Sequence, residues 1–117
     1  IGVGTLLADL HPTPAPYESA VETFLDGWVS GSHVTYTPLG LAWWSQWGSL
    51  RYTANTAMIA MVYAKQINST DSSGAKGYRR WARGQIDYML GDGGRSYVIG
   101  FGDNYPKRPH HAASTCS

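Results

Sequence analysis

The sequence predicts a mainly α fold, built from helical hairpins whose long connections carry much of the aromatic content. Three observations lead there. Apolar residues recur at spacings of three and four in successive segments. Those segments are bounded by Pro and Gly. The densest aromatic run, with three of the five Trp, falls in a connection between two of them.

Taken in order, 1–10 is short and apolar and reads as the tail of a helix. His11-Pro12-Thr13-Pro14-Ala15-Pro16 then forbids helix continuation. A second helix is predicted over 17–29, with Ala20, Val21, Phe24, Leu25 and Trp28 on one face and Gly31 placed to end it. Residues 32–47 alternate like an extended hairpin around Pro38-Leu39-Gly40. The third helix, 49–66, has the strongest pattern, with Leu50, Ala54, Ala57, Met58, Met61, Val62 and Lys65 along one face. Its many small residues suit close approach of a neighbouring helix. Residues 68–74 form a polar loop. The fourth helix, 75–90, puts Tyr78, Trp81, Ala82, Gln85, Ile86, Met89 and Leu90 on one side, with Gly91 as its C-cap. A β-like run comes next at 96–99, and 100–117 has no helical period. Two full hairpins at most make a thin core, so apolar faces stay uncovered unless further helices pack on them.

Composition narrows the function classes. At 117 residues the chain holds one domain; with 43% apolar and 15% charged residues it is not disordered. A formal charge of +1 leaves no basic stripe for a phosphate backbone, and no run approaches the roughly 18 apolar residues of a membrane span. Neither nucleic acid nor membrane is an expected partner. The single Cys116 excludes an internal disulfide framework and a cysteine zinc site. With no signal peptide before Ile1 and a loop-like stretch at Cys116-Ser117, the chain reads as an excerpt.

Two clusters carry chemistry. In Trp43-Trp44-Ser45-Gln46-Trp47-Gly48-Ser49-Leu50-Arg51-Tyr52, three indoles are hard to bury together, since each N–H wants a partner. Trp43 and Trp44 read equally as core or surface, whereas Gly48 lets the backbone turn and display Trp47. An indole face stacks on the apolar face of a sugar ring, and Arg51 supplies a fork of donors for hydroxyls. The second cluster is Gly100-Phe101-Gly102-Asp103-Asn104-Tyr105-Pro106-Lys107-Arg108-Pro109-His110-His111. Adjacent imidazoles in an extended segment point to opposite sides, so a shared metal ion is not expected there. One exposed His donating to a polyol is more economical. Among the carboxylates, Glu18, Glu22 and Asp26 are spaced by four on the second helix, normally a solvated face. None of the others makes a convincing acid/base pair, so the residues describe a binding surface without catalytic carboxylates.

At these clusters the chain resembles the C-terminal half of the catalytic domain of family-9 glycoside hydrolases, the endoglucanases. The resemblance runs through Val34-Thr35-Tyr36-Thr37-Pro38, Trp47-Gly48-Ser49-Leu50-Arg51-Tyr52, Gln85-Ile86-Asp87-Tyr88-Met89-Leu90-Gly91-Asp92 and Ser96-Tyr97-Val98-Ile99-Gly100-Phe101-Gly102 to Pro106, Pro109, His110 and His111. It implies a fragment of an (α/α)6 barrel of six helical hairpins, cutting internal β-1,4-glucosidic bonds of cellulose-like chains with inversion. A general-base Asp in the N-terminal region and a Glu acid downstream of the His-His motif would lie outside this chain, which alone would be inactive. Inversion places such a pair roughly 6.5–9.5 Å apart, with room for a water. The resemblance makes Trp47 a subsite tryptophan, Arg51 and Tyr52 sugar contacts, and His110 the active-site histidine, a hydrogen-bond donor near the scissile sugar.

The resemblance also implies a glucan partner, a secreted monomer, and no cofactor or metal in this chain, with a structural calcium elsewhere in the full domain left open. Secretion is compatible with the sequon Asn68-Ser69-Thr70. The chain departs from the family pattern at Ala112, where an arginine is usual, and mildly at Ile99, Leu39 and the short turn Asp92-Gly93-Gly94-Arg95. Cys116 would stay free or pair beyond the chain. Two rival readings are a non-catalytic carbohydrate-binding module using Trp47, Arg51, Tyr52 and His110, and a helical packing domain with the aromatic loops as core. Such binding modules are commonly compact β structures, which this helical pattern does not suit.

Overall fold

The computed structural model describes residues 15–69, 71–109 and 111. The expected helix tail at 1–10 lies outside them, as do His110, Ala112 and Cys116. Helix α1 spans Ala15–Ser30. Pro16 sits in its first turn, where no N–H is needed, and Gly31 ends it at φ +82°. Val21, Leu25 and Trp28 are buried, but Ala20, expected beside them, is exposed. Val21 and Leu25 join the main core cluster, and Trp28 packs with Val34 and Ala42 of the segment that follows.

The predicted hairpin forms from β1 (Thr35–Tyr36) and β2 (Ala42–Trp43), antiparallel, pairing Thr35 with Trp43 and Tyr36 with Ala42. Thr37 closes the connection: its N–H donates to Leu41 O at 2.9 Å, while its hydroxyl accepts from Leu41 N at 3.0 Å. Tyr36 ties the hairpin to two helices. Its hydroxyl donates to Trp28 O at 2.9 Å and accepts from Trp81 Nε1 at 2.7 Å. Burial pushes the Tyr36 phenol up, against the lowering effect of the indole donor.

Helix α2 (Ser49–Gln66) has the expected bounds but buries a different face. Thr53, Thr56, Ala57, Ala60, Tyr63 and Ala64 are inside, while Met58, Met61 and Val62 are exposed. Small residues decide this. Ala57, Ala60 and Ala64 join Ala75, Tyr78 and Ala82 of α3 (Ser72–Asp87) in one core cluster, letting the two backbones approach closely. The bulkier stripe faces outward with Ile86 and Leu90, the uncovered apolar face that the thin core predicts.

Helix α3 starts three residues before the predicted position. Asp71 caps it, its carboxylate accepting from Ser73 N at 3.0 Å and Gly74 N at 2.9 Å. A Cβ on Gly74 would press on Asp71 Oδ2, so the glycine read as loop lies inside this first turn and leaves room for the capping carboxylate. After α3 the chain widens into a π turn, Tyr88–Asp92, broken by Gly91 at φ +129°. The β-like run at 96–99 is not a strand, since no neighbouring strand among the described residues pairs with it. The segment closes on itself instead: Tyr97 N donates to Met89 O and Ser96 N to Asp103 O, both at 2.9 Å.

Candidate functional site

Gly48 sets the local geometry. It precedes α2 at φ +64°, a left-handed conformation costly for other residues, and its carbonyl accepts from Arg51 N at 3.0 Å. The turn brings Arg51 back over Gly48, its guanidinium carbon 3.6 Å from where a Cβ would stand. Arg51 Nη2 donates to Tyr52 Oη at 2.8 Å, and the guanidinium lies 4.6 Å from the Tyr52 ring centroid. The Tyr52 ring in turn meets Trp44 edge-on, with centroids 4.7 Å apart at 73°. Arg51, Tyr52 and Trp44 therefore form one continuous cluster at the start of α2.

Trp43, Trp44 and Trp47 are 38%, 52% and 67% exposed, so the indole next to the glycine is the most displayed, as expected. Gln46, Trp47, Gly48 and His111 line a cavity of about 440 Å³. The late loop thus reaches the tryptophan step although more than 60 residues separate them in sequence. His110, the histidine assigned to the site, falls outside the described residues; His111, read with it as one of a pair, is the imidazole seen at this cavity. The structure brings together Trp47, Gly48 and His111, and beside them Arg51 and Tyr52.

Chemically, this surface offers an indole face and nitrogen donors from the guanidinium and imidazole. That combination stacks on a ring of C–H groups and bonds to hydroxyls at its rim. No carboxylate lines the cavity among the described residues. Four carboxylates are engaged elsewhere. Asp71 caps α3, and Asp87 pairs with Arg83 at 3.4 Å on the surface. Glu22 accepts from Tyr63 Oη at 2.9 Å, and Asp26 from Tyr78 Oη at 2.7 Å. The 18, 22, 26 face is partly solvated, with Asp26 exposed and Glu18 and Glu22 half-buried, but the sequence reading missed the bonds made by Glu22 and Asp26. They fasten α1 to α2 and α3, and the sequence holds no signal of which phenol lies opposite. Burial first, then the bonded carboxylate, push the Tyr63 and Tyr78 phenols well up. Among the described residues no three His, Cys, Asp or Glu side chains converge on a cation position.

Sequence reasoning also missed what holds the aromatic segment in place. Ala42, fully buried just before Trp43, is bonded on both sides of its backbone. Its N–H donates to Gln85 Oε1 at 2.7 Å, and its carbonyl accepts from Thr53 Oγ1 at 2.5 Å.

Comparison with known proteins bears on the family and the fold. Endoglucanase A of Bacillus pumilus is 48% identical over 101 residues, covering 79% of this chain and 15% of that protein. An endoglucanase of Dictyostelium discoideum is 38% identical over 115 residues, covering 97% of this chain and 15% of that protein. Among solved structures, the endoglucanase of the termite Nasutitermes takasagoensis superposes with a TM-score of 0.84 at 42% identity, over 99% of this chain and 25% of its own. The cellulase Cel9M of C. cellulolyticum superposes at 0.79 and 37%, over 94% of this chain and 24% of its own. The chain spans a quarter or less of these relatives, and its helical hairpins and loops match one part of their barrel. With residues 5–117 matching the profile of that family, the chain belongs to glycosyl hydrolase family 9.

Proposed function

We propose that this chain is part of the catalytic domain of a secreted, monomeric endo-β-1,4-glucanase that hydrolyses internal bonds of cellulose-like polysaccharides with inversion. One observation supports the reading above the others: Trp47, Gly48 and His111 share a cavity, with the Arg51 guanidinium folded over the same glycine. In this proposal Trp47 stacks on a glucose ring, and Arg51 and Tyr52 bond to its hydroxyls. His110, next to His111, donates a hydrogen bond near the scissile sugar and transfers no proton itself. The base and acid carboxylates come from parts of the domain outside residues 1–117. Their division of labour is that of inverting enzymes: one carboxylate activates a water while the other protonates the leaving oxygen.

The test is stereochemical. The full-length protein is incubated with cellohexaose while proton NMR follows the first reducing ends formed. The α-anomer is expected first, because water enters on the face opposite the β-linked leaving group. First appearance of the β-anomer, or no cleavage, contradicts the proposal.

A further inference from the structure

We propose that Thr53 and Gln85 act together as positioning residues for the aromatic segment that grips substrate; this rests on the function proposed above. Both are buried polar side chains, 0% and 5% exposed, and both bond to the backbone of the 40–42 stretch. From α3, Gln85 accepts from Ala42 N and donates through Nε2 to Gly40 O at 3.0 Å, spanning the exit of the hairpin turn. From α2, Thr53 donates to Ala42 O and also lies 3.2 Å from Ser49 O in the first turn of its own helix. Ala42 pairs with Tyr36 across the hairpin, so its position is fixed from three elements.

The tryptophan segment begins directly after Ala42, and Arg51-Tyr52 directly precedes Thr53. The clamp therefore joins the two ends of the step from Trp43 to Tyr52, whose middle presents Trp47. The Trp44–Tyr52 edge contact closes the same loop on the outside. An amide carbonyl and amide NH2 placed 2.7 and 3.0 Å from complementary backbone groups leave little freedom for that exit strand. Losing either clamp lets the indole and guanidinium drift relative to each other, and misplacement of contact groups lowers affinity for a rigid sugar.

The experiment uses the full-length enzyme with Thr53→Val, Thr53→Ser and Gln85→Leu. Val keeps the volume of Thr but loses the donor, and Ser keeps the hydroxyl. Steady-state constants on cellohexaose are measured well below each variant's melting temperature, so that the enzyme assayed is folded. Thr53→Val and Gln85→Leu are expected to raise KM by about tenfold while kcat changes less than about threefold, and Thr53→Ser to return KM to within about twofold. A merely structural role lowers the melting temperature and leaves KM of the folded enzyme alone. Unchanged KM in Thr53→Val and Gln85→Leu, with wild-type enzyme cleaving normally, overturns the clamp alone. Failure of the wild type to cleave any β-1,4-glucan overturns the functional reading and the clamp together.

Discussion

Replacing Trp47 by Ala separates a sugar platform from a packing residue. A Trp side chain offers about 150–250 Å² of surface. With 67% exposure, roughly 100–170 Å² of the indole remains accessible, and one ring face is about half of that. Covering about 50–85 Å² at about 25 cal/mol per Å² is worth about 1–2 kcal/mol. That corresponds to a rise of about five- to thirtyfold in KM for cello-oligosaccharides. Stacking on a subsite ring persists from the bound substrate to the transition state, so kcat should change little and kcat/KM should fall with the rise in KM. Stability should hardly move, because an exposed side chain contributes within about 0.5 kcal/mol. The assay is a Michaelis series in the full-length enzyme, paired with a thermal melt. A KM within twofold of wild type refutes the platform, and a large drop in melting temperature with unchanged constants makes Trp47 a packing residue.

Two further predictions concern the fold that carries the site. Tyr63→Phe and Tyr78→Phe each remove a phenol donated to a carboxylate, at an expected cost of about 1–2 kcal/mol in full-length unfolding. Both phenols are raised above their ordinary value of 10, so their contribution is complete below that pH and is lost as pH rises past it. Melting temperature of the wild type should therefore fall more steeply above pH 10 than that of the double Phe variant; parallel curves would contradict the linkage. In α3, Gly74→Ala should destabilise, because its Cβ meets the Asp71 carboxylate and displaces the cap, whereas Gly77→Ala, with open space around it, should stabilise by about 0.5–1 kcal/mol. Equal shifts of one sign in thermal melts would show that the cap does not decide the outcome.

Helix periods, the hairpin, the Gly31 and Gly48 turns and the display of Trp47 were all legible in the chain, because each depends on local backbone preference or on the size of one side chain. Which face of α2 goes inward was not. The apolar count favoured Met58, Met61 and Val62, but close approach to α3 rewards Ala57, Ala60 and Ala64, and that is a property of two helices together. The start of α3 was hidden for a related reason: Gly74 signals a loop until Asp71 folds onto its N–H. Residues at the proposed site could be named from motif and chemistry alone. Their joint placement was decided only in three dimensions, where the packed chain brings His111 to Trp47 and closes Gln85 and Thr53 on Ala42, since such long-range pairings leave no period or spacing in a linear sequence.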